Sequence, residues 1–246
     1  MHEPATIRRA TPADWRAYRQ LRLRALELAP DAFGSTLAEE SAQPDDWWTE
    51  RLACSHTLLA EVSGEPVAIG TGIWDRHEIG SREIVGLWVE PQSRGSGIAA
   101  VLIERLAAWA QDAAAHAIAL WVCDGNDDAR RLYERCGFVA TGQRDIMRDA
   151  YMEERMRRPL DPAEPRETVG WRAVGVVLDG DSIDLDGMNP WQHGWRSTGE
   201  MVWMRHPSYP TQLHDVSEYR IVAEGREVRF AAGELSNNVW GFYLPA

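Results

Sequence analysis

The sequence lacks lysine: all 26 of its basic residues are arginine, and the formal net charge is −12. This absence excludes a Walker-type phosphate loop, because that loop needs a lysine to reach the phosphates of a nucleotide. It also excludes a lysine Schiff base and a lysine general base. No segment forms the basic stripe that nucleic-acid binding requires, so we expect no nucleic acid among the partners.

Cysteine is scarce, and long apolar runs are missing. The three cysteines are Cys54, Cys123 and Cys136, and such a scattered set predicts reduced thiols in a cytoplasm rather than a disulfide framework. No stretch approaches the roughly 20 apolar residues that a membrane helix requires, and the N-terminal segment has no apolar signal core. We therefore expect a cytoplasmic protein without a membrane partner.

Up to about residue 160 the sequence alternates between helix and strand patterns. Helical spacing of apolar residues predicts helices over residues 12–29, 37–53, 96–115 and 127–135. Short apolar stretches between them predict strands over residues 5–9, 57–62, 66–74, 84–89, 117–122, 138–141 and 151–157. This order predicts an α/β domain over residues 1–160, with helices placed between the strands of a central sheet.

The pattern changes at a linker of about residues 159–168, where Pro162 and Pro165 stand among charged residues. Beyond it, alternating segments predict strands over residues 172–178, 200–205, 218–223, 226–231 and 239–244. Asp179-Gly180 and Glu224-Gly225 are typical of hairpin turns. These signals predict a small all-β domain over residues 161–246, whose role the sequence does not identify.

The second domain has features that are superficially like binding sites. Its acidic segment over residues 179–187 looks like the start of a calcium loop. However, Ile183 stands at the fifth position, where a ligand is needed, and Pro190 at the twelfth, where a bidentate glutamate is needed. The histidine spacing fits no metal pattern either, so we expect no metal ion. Four tryptophans could form an interface with the first domain, a lid over its site or a contact in a homodimer. They are Trp191, Trp195, Trp203 and Trp240.

The most informative segment is the loop from Trp88 to Ala100, WVEPQSRGSGIAA, between a predicted strand and a predicted helix. Its GSGIAA portion satisfies the alanine-ended dinucleotide fingerprint, but that fingerprint needs its first glycine at the strand end, and here Pro91 intervenes. Glycines let backbone N–H groups approach a diphosphate, and the start of the next helix adds positive partial charge. The loop therefore predicts a diphosphate site to which Arg94 adds charge.

Two motifs together resemble the GNAT superfamily of N-acetyltransferases over about residues 5–160. Residues 92–97, QSRGSG, follow Val89-Glu90-Pro91 and are similar to the superfamily's Gln/Arg-x-x-Gly-x-Gly pyrophosphate loop. Asn126, followed by ARRLYERCGF over residues 129–138, is similar to its Asn…Ala-x-x-Leu-Tyr-x-x-x-Gly-Phe signature. The stretch DAFGST over residues 31–36 is also similar to bacterial members. The resemblance does not extend to the C-terminal part.

The resemblance implies a GNAT-like mixed sheet, splayed between the strands that end at Val89 and Val122 and flanked by helices. Acetyl-CoA would bind in the opening as co-substrate, with its pantetheine arm paired to the strand backbone. The coenzyme-binding residues that the resemblance implies are Leu87, Trp88, Val89, Gln92, Arg94, Gly95, Ser96, Gly97, Ile98 and Asn126.

The resemblance further implies direct transfer of the acyl group to an amine. Tyr133 would protonate the leaving thiolate, and the N–H of Val89 would stabilise the tetrahedral intermediate. Relatives that acetylate protein N-termini often carry a glutamate five residues before the asparagine, where this chain has Trp121. We predict Glu83 as the general base, with Asp75, Glu78 or a water relay as alternatives.

The predicted acceptor pocket contains Trp74, Trp121 and Glu39, because aromatic faces and a carboxylate attract a cationic amine. We expect the acceptor to be the primary amine of a small molecule. One alternative is a protein N-terminal or side-chain amine, which the departure at Trp121 disfavours. The other is a non-catalytic acyl-CoA sensor that presents the β domain to a partner, which the complete loop and Tyr133 disfavour.

Overall fold

The structure, a computed structural model, describes residues 5–75, 77–78, 80–113, 115–148, 151–161, 171–178, 185, 196–206, 209–223, 226–236 and 239–245. The chain forms two compact units, Met1–Ala163 and Glu164–Ala246. Among the helices of the described residues, none is long and apolar enough to cross a membrane.

The first unit alternates strands and helices in the predicted order. Its strands are β1 Thr6–Arg9, β2 His56–Val62, β3 Glu65–Trp74, β4 Ser81–Val89, β5 Ala117–Cys123, β6 Val139–Arg148 and β7 Tyr151–Pro159. Its helices are α1 Trp15–Leu28, α2 Leu37–Ser41, α3 Asp45–Ala53, α4 Ile98–Asp112 and α5 Asp127–Arg135. The predicted α/β class is confirmed for this unit.

Its seven strands form one mixed sheet in the order β1-β2-β3-β4-β5-β7-β6. Neighbouring strands are antiparallel except β4 and β5, which are parallel. Helix α4 buries Leu102 and Leu106 against one face. Helix α1 buries Leu21 and Leu26 against the other face, together with Trp48 of α3. Helices on both faces keep this largely apolar sheet out of water.

The helix predicted over residues 37–53 is two helices, α2 and α3, separated at Pro44. Proline disfavours the helical conformation in the residue before it, so α2 ends and α3 begins with Pro44 as its N-terminal cap. Thr36 caps α2: its hydroxyl accepts from the N–H of Glu39 at 3.2 Å, and the Glu39 carboxylate accepts from the N–H of Thr36 at 2.7 Å. This reciprocal cap fixes the start of α2.

The sheet opens between β4 and β5. These strands pair only from Ser81 opposite Ala117 to Ile84 opposite Leu120. Immediately beyond, β4 contains a bulge. Val85 lies opposite Thr71 and Trp88 lies opposite Ile69, so a step of three residues on β4 matches a step of two on β3. The bulged residue Gly86 has a φ of 63°. A bulge bends its strand. From this point β4 and β5 no longer pair with each other, although β4 stays paired with β3 and β5 with β7. This gap is the splay that the resemblance implies.

The second unit contains one antiparallel five-stranded sheet in the order β8-β12-β11-β10-β9. Its strands are β8 Trp171–Leu178, β9 Arg196–His206, β10 Tyr209–Ala223, β11 Arg226–Ser236 and β12 Val239–Pro245. Buried Phe230 stacks on Tyr219 at 5.6 Å and on Phe242 at 6.0 Å between ring centroids. The predicted turns at 179–180 and 224–225, with Trp191 and Trp195, lie outside the described residues.

Candidate active site

A cleft of about 700 Å³ occupies the opening between β4 and β5. Because it passes through the gap, side chains from both faces of the sheet line it, among them Tyr133 on the α4 face and Trp88 on the α1 face. The cleft brings together most of the site residues predicted from the sequence. They are Leu87, Trp88, Val89, Arg94, Gly95, Gly97, Ile98, Trp121, Asn126 and Tyr133.

The backbone of Val89 faces the opening. Val89 lies opposite Ala68 of β3, and the adjacent hydrogen bond runs from the N–H of Glu90 to the carbonyl of Val67 at 2.8 Å. In an antiparallel pair this register turns the N–H and carbonyl of Val89 away from β3. The carbonyl accepts from Nε of Arg94 at 3.1 Å. The Val89 N–H is therefore directed at the cleft, and Arg94 is anchored beside it.

The loop before α4 presents backbone donors to the same cleft. Gly95 and Gly97 have φ angles of 75° and 87°, and a Cβ on either would meet nothing within 4 Å. Backbone conformation, rather than lack of space, therefore requires glycine at both positions. The first helical hydrogen bond of α4 runs from the N–H of Val101 to the carbonyl of Gly97 at 3.1 Å. The preceding N–H groups have no helical acceptor and can bind an anion.

Two loop residues predicted to bind coenzyme are not among the residues that line the cleft. Gln92 lies in a single 3-10 turn, Pro91–Ser93. Ser96 donates its hydroxyl to the carbonyl of Ser93 at 2.6 Å, a bond that holds the loop in shape. The Ser96 side chain supports the loop conformation, whereas the adjacent glycines line the cleft.

Helix α5 contributes the opposite wall and additional positive charge. Asn126 caps the helix, and its Oδ1 accepts from the N–H of Ala129 at 3.3 Å, which leaves the side-chain amide as a donor. Arg131 and Arg135 also line the cleft. They are four residues apart and thus lie on one side of the helix. Sequence reasoning missed these two arginines, although their spacing within the second motif is a usable signal.

Tyr133 lines the cleft from the α4 face of the sheet. Its ring packs against Phe138 with centroids 6.1 Å apart. Among the residues that the structure describes, none forms a hydrogen bond with its hydroxyl. Burial, followed by the neighbouring thiols of Cys123 and Cys136, raises the pKa of Tyr133 to about 12. The hydroxyl therefore stays protonated near neutral pH and is free to donate to a group in the cleft.

The α1 face of the cleft is apolar near the sheet. Ala29, Ala32 and Phe33, from the segment after α1, line it together with Trp121. The edge of the Trp121 ring system meets His77 with centroids 5.2 Å apart. Of these residues, the sequence predicted only Trp121 as a pocket residue. The DAFGST stretch carried the signal for Phe33, since it matched the superfamily without a role being assigned.

Cys123 also lines this side of the cleft, at the end of β5. Its buried thiol lies 3.5 Å from the sulfur of Met147. Burial and the nearby charges of Glu153, Asp124 and Asp31 raise the pKa of Cys123 to about 11. A thiol with such a pKa is protonated near neutral pH and is a poor nucleophile.

Glu83 does not line the cleft. It is buried in the paired part of β4, between Ile73 of β3 and Ala119 of β5. In a regular strand Glu83 and Leu87 share one side, because they are four positions apart. The bulge at Gly86 adds a residue and reverses the alternation, so Leu87 packs with the α4 core whereas Glu83 lies on the other face.

The structure also places Trp74 and Glu39 outside the cleft. The Trp74 ring lies under the guanidinium of Arg82 at 3.9 Å, at the far end of the β3–β4 pair. Glu39 is exposed in the first turn of α2, where its carboxylate is engaged in the cap with Thr36. Neither side chain is among those that line the cleft.

The two alternative bases are held by arginines. Buried Asp75 pairs with Arg155. Glu78 pairs with Arg157 at 2.9 Å and with His116 at 2.8 Å. The hydrogen bond from Arg157, only partly opposed by desolvation, lowers the pKa of Glu78 to about 2. A carboxylate with such a pKa is a weak proton acceptor near neutral pH.

Comparison with known proteins identifies relatives of the first unit. The model of the acetyltransferase (GNAT) family matches residues 22–138. Among curated proteins, an aminoglycoside N(6′)-acetyltransferase type 1 from Stenotrophomonas maltophilia is 31% identical over 165 residues, which cover 64% of this chain and 95% of the relative.

Solved structures share the fold at lower identity. An acetyltransferase of the GNAT family from Streptococcus pneumoniae has a TM-score of 0.55 and 20% identity, over 64% of this chain and 99% of its own. An acetyltransferase from Salmonella typhimurium, solved with its cofactor acetyl-CoA, has a TM-score of 0.54 and 21% identity, over 67% and 99% of the two chains. These matches show that the fold of the first unit is that of the family.

Proposed function

Because the chain belongs to the GNAT family of N-acetyltransferases, we propose that it transfers an acetyl group from acetyl-CoA directly to the primary amine of a small molecule. The observation that carries this proposal is the cleft through the sheet, which both the glycine loop before α4 and Tyr133 line. The curated relative, an aminoglycoside N(6′)-acetyltransferase, supports a small amine as acceptor.

The residues of the cleft fit acetyl-CoA. The free N–H groups at the start of α4 and the charges of Arg94, Arg131 and Arg135 suit a polyanionic nucleotide. The outward-facing backbone of Val89 suits a pantetheine amide in the manner of an added strand. When bound, acetyl-CoA would supply the acetyl group as a thioester, and Tyr133 would serve its sulfur as proton donor.

The side chains on the two faces of the sheet then serve different parts of the reaction. On the α4 face, the Tyr133 hydroxyl donates a proton to the departing thiolate, and the Val89 N–H stabilises the charge on the carbonyl oxygen. On the α1 face, Trp121 and Phe33 border the path by which the amine enters. The protonated Cys123 thiol argues against an acyl-cysteine route, so attack by the amine is direct.

We place this activity in residues 1–160. Each described residue that lines the cleft belongs to this part of the chain, and the curated relative aligns over 165 residues.

Thiol release from acetyl-CoA over a panel of amines tests the proposal. The panel contains an aminoglycoside with a free 6′-amine, small polyamines, amino acids and a peptide with a free N-terminus. We expect acceptor-dependent release with a small-molecule amine, and mass spectrometry should show a product heavier by one acetyl group. Release with the peptide alone would contradict the proposed substrate class, and no release with any acceptor would contradict the activity.

A further inference from the structure

Glu153 of β7 carries a carboxylate that pairs with no cation among the residues that the structure describes. The neighbouring carboxylates differ: Glu154 pairs with Arg130 at 2.9 Å, and Asp75 and Glu78 are held by arginines. In a chain with 26 arginines, an unpaired and half-buried carboxylate stands out, because burying an ionised group costs free energy unless something compensates it.

The strand register places Glu153 beside the acceptor side of the cleft. On β7, Glu154 reaches Arg130 of α5, so Glu153 points to the opposite face, which is that of α1. Glu153 is the cross-strand partner of Cys123, which lines the cleft. Directly opposed side chains in a sheet lie about 5 Å apart at Cβ. Glu153 is not itself among the residues that line the cleft, but it lies next to Cys123, which is, on the face where Trp121 lies.

We propose that Glu153 is the general base that takes a proton from the ammonium group of the acceptor. This inference rests on the proposed function. Glu153 takes the place of the predicted base Glu83, which lies in the paired part of the sheet below the opening. It also takes the place of the alternatives Asp75 and Glu78, which are held by arginines. A carboxylate on the α1 face can deprotonate the amine while Tyr133 serves the thiolate from the α4 face.

The protons and bonds balance with these two residues. Glu153 takes one proton from the ammonium, and the freed nitrogen lone pair forms a bond to the carbonyl carbon of the thioester. The carbon–sulfur bond breaks, and its electron pair leaves with the sulfur, which takes the proton of Tyr133. The nitrogen then gives up its second surplus proton, which restores Tyr133 to the neutral phenol. The products are the amide, the free thiol and one proton that Glu153 releases to water.

The surroundings of Glu153 suit a base that works near neutral pH. Burial, and then the charge of Asp145 opposite it on β6, raise the pKa of Glu153 above its usual value. Other ionisable groups close to this position are Cys123 of β5, Asp124 directly after β5, Asp31 after α1, and Arg155 of β7. Arg155 is engaged with Asp75, so the electrostatic field of the neighbouring carboxylates favours the protonated form of Glu153. A raised pKa makes the Glu153 carboxylate a stronger proton acceptor.

Rate measurements against pH on the full chain test the assignment with three variants. Glu153→Gln should lower kcat roughly 100-fold or more, within the range for a lost general base, and should remove the acidic limb of the pH profile. Its affinity for CoA, measured by calorimetry, should stay as in the wild type. Asp145→Asn keeps the base but removes the charge that raises its pKa, so the limb should move to lower pH. Glu154→Gln, on the other face, is the matched control and should leave the limb in place.

The outcomes separate this inference from the function on which it rests. If the wild type releases thiol but Glu153→Gln keeps both its kcat and its acidic limb, the assignment of the base is wrong and the proposed function stands. An unmoved limb in Asp145→Asn, or a moved one in Glu154→Gln, also contradicts the assignment. If the wild type releases no thiol with any amine, both proposals fail together.

Discussion

Replacement of Tyr133 by phenylalanine should separate chemistry from folding. The substitution removes one hydroxyl that has no partner among the described residues, while the ring contact with Phe138 at 6.1 Å remains. The free energy of unfolding should therefore change by less than about 1 kcal/mol. Turnover should fall about 100-fold, which corresponds to about 2.7 kcal/mol of lost transition-state stabilisation.

The pH dependence of this effect follows from the pKa of Tyr133, which burial raises to about 12. The phenol is protonated throughout about pH 6 to 9, so it should add no limb to the wild-type profile. The loss in Tyr133→Phe should accordingly be the same at each pH in that interval. Affinity for CoA should be nearly unchanged, since the proposed mechanism assigns the hydroxyl to the sulfur and not to the nucleotide.

Tyr18→Phe is a matched control with the opposite expectation. The hydroxyl of buried Tyr18 accepts from Nε of Arg51 at 2.9 Å, away from the cleft. Its loss should lower the free energy of unfolding by about 1–2 kcal/mol and leave kcat intact. Thermal denaturation and thiol release, measured on both variants, give the comparison. Full turnover in Tyr133→Phe, or a loss explained entirely by unfolding, would refute the role of Tyr133.

The remaining predictions concern the scaffold of the site. Glu40→Ala should destabilise the fold by about 3–5 kcal/mol, measured by urea denaturation. The reason is that it leaves the buried Arg22 guanidinium without the Glu40 carboxylate, which lies 2.7 Å from it. A loss below about 1 kcal/mol would show that the pair contributes little. Asn126→Ala should cost about 1 kcal/mol through the lost cap of α5 and should weaken CoA binding in a calorimetric titration. Undiminished CoA affinity would remove Asn126 from the coenzyme site.

The local features of the site could be predicted from the sequence because they are encoded in short segments. The loop glycines and the start of α4 each depend on residues within a few positions. The order of strands and helices in the first unit follows from apolar spacing for the same reason. The break at Pro44 was readable as well, yet the prediction over residues 37–53 gave apolar spacing more weight than the proline.

The acceptor side could not be predicted in the same way, because it depends on contacts between distant segments. One added residue at Gly86 reverses which side chains of β4 share a face, and this misplaced Glu83. Glu153 comes to lie beside Cys123 only through the pairing of β7 with β5, which no short motif reveals. The aromatic ring of Trp74 suggests a residue of the acceptor pocket, but the ring packs under Arg82 of the neighbouring strand, away from the cleft.

Calorimetric titration of acetyl-CoA tests most directly whether the cleft is a coenzyme site. We expect one molecule to bind per chain of the folded wild type. The matched variant is Gly97→Val, since valine at a φ of 87° costs about 1–3 kcal/mol of backbone strain and disturbs the donors of the loop. Its affinity should fall at least about tenfold. Absence of binding heat with folded wild-type protein, or equal affinity in the variant, would contradict the account.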